Sequence, residues 1–207
     1  MKNNIIISII IPIYNGEAHI DKCLDSVMKQ NLSKPWELII VDDASTDNTK
    51  EIIKKYNISN LKLYSLSNNS GPSIARNLGI SKALGEYIYM LDVDDLISIK
   101  SLNTLYTAAK KYNCDFVFSD FKRIEYLKNQ REGTFNYSTE LMFNENEINK
   151  AMIKELHDPT LGHLGLIGCN GRLIKRSIIT DNNILFDEKL RLLEDKTFGW
   201  NVLSFCH

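Results

Sequence analysis

Residues 87–95 read Tyr87-Ile88-Tyr89-Met90-Leu91-Asp92-Val93-Asp94-Asp95, an apolar run that passes directly into three carboxylates. A short, continuous apolar run suits a strand buried on both faces, as in parallel sheets. In an open α/β sheet the chain leaves the core at the C-terminal ends of the strands, and ligand-binding groups collect there. Asp92, Asp94 and Asp95 are therefore expected at that edge. Neighbouring carboxylates repel one another and are most readily held together by a shared cation. Hard divalent ions such as Mg²⁺ or Mn²⁺ take oxygen ligands and bridge to substrate phosphates. The plainer alternative is a solvated acidic turn.

Working outward, the same rhythm recurs. Apolar runs at 5–13, 37–41, 61–66 and 115–119 read as strands. They alternate with helical periodicity after Ile20, after Asp47, from Pro72 to about Leu84, and over 101–112, which is the pattern of a mostly parallel α/β sheet. Gly71-Pro72 opens a helix, since proline is pre-set for a first turn. Beyond about Phe121 the rhythm changes. A hairpin or loop is expected at 128–133, a helix at 145–156, glycine-rich turns across 162–171, and a last helix at 192–205. His157 and His163 fall in this stretch as candidates for an acceptor loop.

The chain has 207 residues, 43% hydrophobic and 25% charged, with a net charge of −1. That length suits one domain. A near-neutral charge with no basic stripe excludes a nucleic-acid footprint. Cys23, Cys114, Cys169 and Cys206 show no paired spacing, which argues against a zinc site or a disulfide framework and fits a reducing, cytoplasmic setting. The apolar N-terminal run is too short to span a bilayer, and it lacks the basic flank and cleavage site of a signal peptide.

Three further groups have chemical promise. Asp42 and Asp43 follow the second strand, where a carboxylate can accept a base N–H or ribose hydroxyls, or cap the next helix. Arg76, near a helix start, can fork onto a diphosphate or lie with its stem packed at the surface. Glu194 and Asp195 begin an apolar-periodic helix, where the helix dipole favours acidic residues in any case.

Taken together, Ser8-Ile-Ile-Ile-Pro12-Ile-Tyr14-Asn15, Glu37-Leu-Ile-Ile-Val-Asp42-Asp43-Ala-Ser45-Thr-Asp47, Asn69-Ser-Gly71, Ala75-Arg76-Asn77-Leu-Gly79, Gly85 to Asp95, and Leu193-Glu194-Asp195-Lys-Thr-Phe198 resemble one family. It is the inverting family-2 glycosyltransferases of bacterial polysaccharide and lipo-oligosaccharide type. The resemblance implies a GT-A, Rossmann-like, mostly parallel sheet flanked by helices, with a smaller acceptor-side subregion. One catalytic domain would cover 1–207, with a nucleotide-sugar half at 1–120 and an acceptor-side half at 121–207, cut short at its C-terminus. It implies transfer of a sugar from a UDP-sugar to a saccharide or glycan acceptor, with Mn²⁺ or Mg²⁺ as cofactor.

By the same resemblance, Asp43 looks like the uracil reader, with Pro12 and Tyr14 walling the base pocket. Asn15, Glu17, Asp42, Gly71, Arg76, Asp92 and Asp94 complete the nucleotide-sugar site. Asp94 is the leading metal ligand, joined by Asp92 and Asp95, and Asp195 is the general base beside Glu194. Peripheral membrane association at the inner face, through a missing C-terminal region, and a homo-oligomeric state stay open. Two alternatives remain: a haloacid-dehalogenase-like phosphatase, which also places Asp-x-Asp after a buried strand, and a catalytically inactive sugar-nucleotide-binding module.

Overall fold

The computed structural model describes residues 4–118 and 168–206. In chain order these form β1 (Ile7–Ile13), α1 (Ile20–Met28), β2 (Trp36–Asp42), α2 (Thr49–Lys55), β3 (Leu61–Ser65) and α3 (Pro72–Lys82). There follow β4 (Tyr87–Met90), α4 (Ser101–Tyr112), β5 (Phe116–Phe118), β6 (Arg172–Lys175), α5 (Arg176–Asp181) and α6 (Glu194–Leu203). The features expected at 128–133 and 145–156, with His157 and His163, lie outside the described residues.

The strands form one sheet in the order β3-β2-β1-β4-β6-β5. β3, β2, β1 and β4 run parallel, while β6 is antiparallel to both β4 and β5. The mostly parallel α/β sheet read from the sequence is therefore present. β6 and α5, by contrast, stand where the reading has no element. Arg172-Leu-Ile-Lys175 is too short to show a period and is charged at both ends. Its strand state comes from pairing with Tyr87–Tyr89 and Phe116–Phe118 rather than from local preference.

All seven residues of β1 are buried. Their alternation divides the core between two layers of helices. Ile7, Ile9, Ile11 and Ile13 pack with α1, α2 and α4 on one face. Ile10 packs with α3, α5 and α6 on the other. Gly79 permits the close approach of α3, since a Cβ there would stand 2.4 Å from Ile10 Cγ2. That contact draws the start of α3, with Arg76, toward the C-terminal edge of β1 and β4. Among the described residues no helix is long and apolar enough to cross a membrane.

Candidate active site

The parallel register aligns the C-terminal ends of β1, β2 and β4, so their exit loops share one edge. The first two loops are stitched together by side chains. Asn15 N donates to Ser45 Oγ at 2.9 Å, and Asn15 Oδ1 accepts from Thr46 N at 2.8 Å. Gly16 N donates to Thr49 Oγ1, Glu17 N to Asp47 Oδ2, and Glu17 Oε2 accepts from Asn48 N. Asn15 and Glu17 thus brace the β2–α2 loop. Pro12 is buried in β1, whereas Tyr14 is 46% exposed above it.

Asp42 is fully buried, accepts from Ser45 N, and pairs with Lys50 Nζ at 3.0 Å. Asp43 turns the other way and holds the loop before α3. Its two oxygens accept from Ser70 N and Gly71 N, each at 2.7 Å. Gly71 has φ +96, a conformation that favours glycine, and Pro72 follows at the first turn of α3. Each carboxylate oxygen has two lone pairs, so Asp43, though only 3% exposed, keeps accepting capacity beyond these two bonds.

Beyond β4 the chain turns tightly, with Asp95 N donating to Asp92 O at 3.0 Å. Asp92, Asp94 and Asp95 present oxygens that all lie within 4.8 Å of one another. An octahedral divalent ion with oxygens at about 2.1 Å spaces its ligands roughly 3–4.2 Å apart, so the donor set fits a hard cation after small side-chain adjustments. The crowding is felt by neighbouring groups. Burial, then the charges of Asp92 and Asp94, push the Asp95 carboxyl above its ordinary range. Burial and the same acidic turn push the Cys23 thiol beneath it up to about 12.

Arg76 is the counter-charge on the protein side. It is 6% exposed, not at the surface. Its Nη2 donates to Asp92 Oδ1 at 3.0 Å, and its Nη1 donates to Glu194 Oε1 at 3.1 Å. The guanidinium lies 5.3 Å from the centre of the Phe186 ring. Asn170 Nδ2 donates to the other oxygen of Asp92. Asp195 is partly buried, and its side chain makes no hydrogen bond among the described residues. Buried Cys169 lies between these groups. Burial drives its thiol up to about 12, with Arg76 pulling down and Asp92 and Asp195 pushing up.

The geometry therefore joins Arg76, Asp92 and Glu194 directly and brings Asp94, Asp95 and Asp195 to their side. Pro12, Tyr14, Asn15, Glu17, Asp42, Asp43 and Gly71 stand along the same edge over β1 and β2. Asn170 and Phe186 were not singled out from sequence. Asn170 follows Cys169 in a stretch read only as turns, and its partner is 78 residues away. The one local hint is the Asn170-Gly171 pair, a turn signal with Gly171 at φ +68.

Known proteins share this sequence pattern and fold. A family model described as Glycosyl transferase family 2 matches residues 8–179. The poly(ribitol-phosphate) beta-glucosyltransferase of Bacillus spizizenii is 33% identical over 203 residues, covering 95% of this chain and 29% of that protein. The poly(ribitol-phosphate) beta-N-acetylglucosaminyltransferase TarS of Staphylococcus aureus is 31% identical over 194 residues, covering 92% of this chain and 31% of TarS. The crystal structure of TarS 1–349 aligns with a TM-score of 0.79 at 27% identity, over 98% of this chain and 56% of that one. The same TarS fragment in complex with UDP-GlcNAc aligns at 0.76 and 26% identity, over 98% of this chain and 54% of that one. The chain thus spans under a third of the length of these two curated relatives. With the family model covering most of its length and relatives above 30% identity across more than nine-tenths of it, the chain belongs to glycosyl transferase family 2.

Proposed function

We propose that this chain is the catalytic core of an inverting, metal-dependent transferase. It moves a sugar from a UDP-sugar to a hydroxyl of a saccharide or polyol-phosphate glycan in cell-surface polysaccharide synthesis. The observation that carries the reading is the Arg76 junction, which holds the Asp92 turn and the start of α6 against each other at the sheet edge. The UDP-GlcNAc complex of TarS and the poly(ribitol-phosphate) acceptors named for the relatives support the choice of donor and acceptor.

In this reading Asp43 accepts the uracil N3–H while continuing to hold the Ser70–Gly71 backbone, and Pro12 and Tyr14 flank the base. Asn15 and Glu17 stiffen the pocket floor, and Asp92 orients the ribose. Asp94, with Asp92 and Asp95, would hold Mn²⁺ or Mg²⁺. Such an ion, when bound, neutralises the diphosphate and stabilises it as a leaving group. Asp195 removes the proton from the acceptor hydroxyl, whose oxygen then attacks the anomeric carbon from the face opposite the nucleotide. One base suffices, with no covalent intermediate.

The test is UDP release from UDP-glucose and UDP-GlcNAc, with Mn²⁺, Mg²⁺ or EDTA, over acceptors that include poly(ribitol phosphate). Release that needs both metal and acceptor supports the reading. UDP binding without release from any donor leaves a sugar-nucleotide-binding module in its place.

A further inference from the structure

We infer that Arg76 is a positioning residue: it fixes the rotation of α6 against the donor-side turn and so aims Asp195 at the acceptor hydroxyl. The inference rests on the transferase reading above and adds to it a residue that acts through another. Two contacts of one guanidinium carry it. Nη1 holds Glu194 Oε1 at 3.1 Å. The same group lies over the Phe186 ring, 5.3 Å from its centre, and Phe186 stacks on Phe198 with ring centres 3.9 Å apart and planes 3° from parallel.

Glu194 and Phe198 are four residues apart on α6, so they share a face one turn from each other. A helix gripped at two points along one face cannot roll about its axis. Asp195 sits one residue on, about 100° around the helix, and its side chain makes no hydrogen bond among the described residues. Its direction is therefore inherited from its neighbours. The other arm, Nη2 on Asp92 Oδ1 at 3.0 Å, ties this grip to the turn bearing Asp94 and Asp95. Donor site and base are thereby held as one unit.

The cost of this arrangement is visible. Nε of Arg76 is buried and has no partner among the described residues. An arginine kept only for stability gains nothing from a buried, unpaired donor. Lysine cannot take its place, because one ammonium lacks the fork that reaches two carboxylates at once.

The test is a double-mutant cycle on the full chain, read as UDP release with UDP-GlcNAc or UDP-glucose and acceptor. Arg76→Lys alone should lower kcat on the order of 10²-fold, the scale of a small misplacement of reacting groups. The KM for donor should move less than roughly threefold. In an Asp195→Asn background the same substitution should cost less than roughly threefold, because the group it aims is gone. A merely structural arginine lowers the folded fraction equally in both backgrounds, so equal losses overturn the inference, as does full turnover by Arg76→Lys. If Arg76→Lys does not fold, Glu194→Gln, which keeps an acceptor for Nη1 and removes the charge, is read in the same cycle against the same criterion. A native chain that releases no UDP overturns the transferase reading and this inference together. An active native chain with additive losses overturns this inference alone.

Discussion

Glu37 enters β2 at the N-terminal edge of the sheet, and Asp92 follows β4 at the C-terminal edge, yet the fold treats the two carboxylates differently. Glu37 is 2% exposed and its charge is fully answered. Oε1 accepts from Ser8 Oγ at 2.6 Å and Leu84 N at 2.7 Å, and Oε2 pairs with Lys62 Nζ at 2.7 Å. Ser8 Oγ in turn accepts from Gly85 N. This closed network clamps β1, β2, β3 and the entry to β4. At the opposite edge one arginine faces Asp92 and Glu194, while Asp94 and Asp95 have no ion pair among the described residues. Negative charge left over at an edge is a cost to the fold that a bound cation removes, and such excess marks functional sites. The chain itself completes one edge, and in the proposed reading ligands complete the other.

The sharpest way to break that contrast is to alter the open edge. Asp195→Asn should lower kcat on the order of 10²–10⁴-fold, the usual worth of a general base, with UDP affinity nearly unchanged. Wild-type turnover by that variant in a UDP-release assay would move the base elsewhere, with Glu194 first in line. Asp94→Ala should abolish the stimulation by Mn²⁺, a loss of about 10²-fold or more in turnover. The same change should leave the melting temperature equal or higher without metal, since a repelling charge is gone. Full, EDTA-resistant activity of Asp94→Ala would remove the metal role.

The closed edge should behave in the reverse manner. Glu37→Ala leaves the Ser8 hydroxyl, the Leu84 amide and Lys62 without their acceptor. It should cost about 2–4 kcal/mol in urea unfolding, with the Lys62 share small because that side chain is partly exposed. Any folded fraction should keep normal UDP affinity. A weaker effect is expected from pH. Burial pushes the Glu37 carboxyl up, but Lys62, Ser8 and the Leu84 amide outweigh it and hold it below its ordinary value. A lowered carboxylate contributes stability above its unfolded value of about 4.3, and that stability is lost as pH falls through the lower, folded value. Urea midpoints of wild type and Glu37→Gln should therefore converge below about pH 4. Parallel curves from pH 7 to pH 3 would show that the network is not worth its hydrogen bonds. Smallest of all, Lys54→Ala removes a 3.8 Å pair with Glu51 in which both side chains are more than half exposed. It should change stability by less than about 0.5 kcal/mol.

Both edges were partly legible in the chain. Strand runs, turn residues and the Asp-Val-Asp-Asp sequence are contiguous, and contiguous residues carry their own period and turn chemistry. β1 to β4, the helices between them, the acidic turn and the Glu194-Asp195 helix start could therefore be read directly. So could the mostly parallel sheet that brings the loops to one edge. What could not be read was partnership. Arg76 can donate to any acceptor within reach, and nothing local to Ala75-Arg76-Asn77 selects Asp92, 16 residues away, and Glu194, 118 residues away. Asn170 meets Asp92 across 78 residues, and the four residues of β6 become a strand only because β4 and β5 lie on either side of them. These choices depend on the whole packed sheet, on Gly79 letting α3 close on Ile10 and on Phe186 meeting Phe198. A side chain's identity states which bonds it can make, while only the assembled fold decides which partner stands at 3 Å when the alternatives have been excluded by packing.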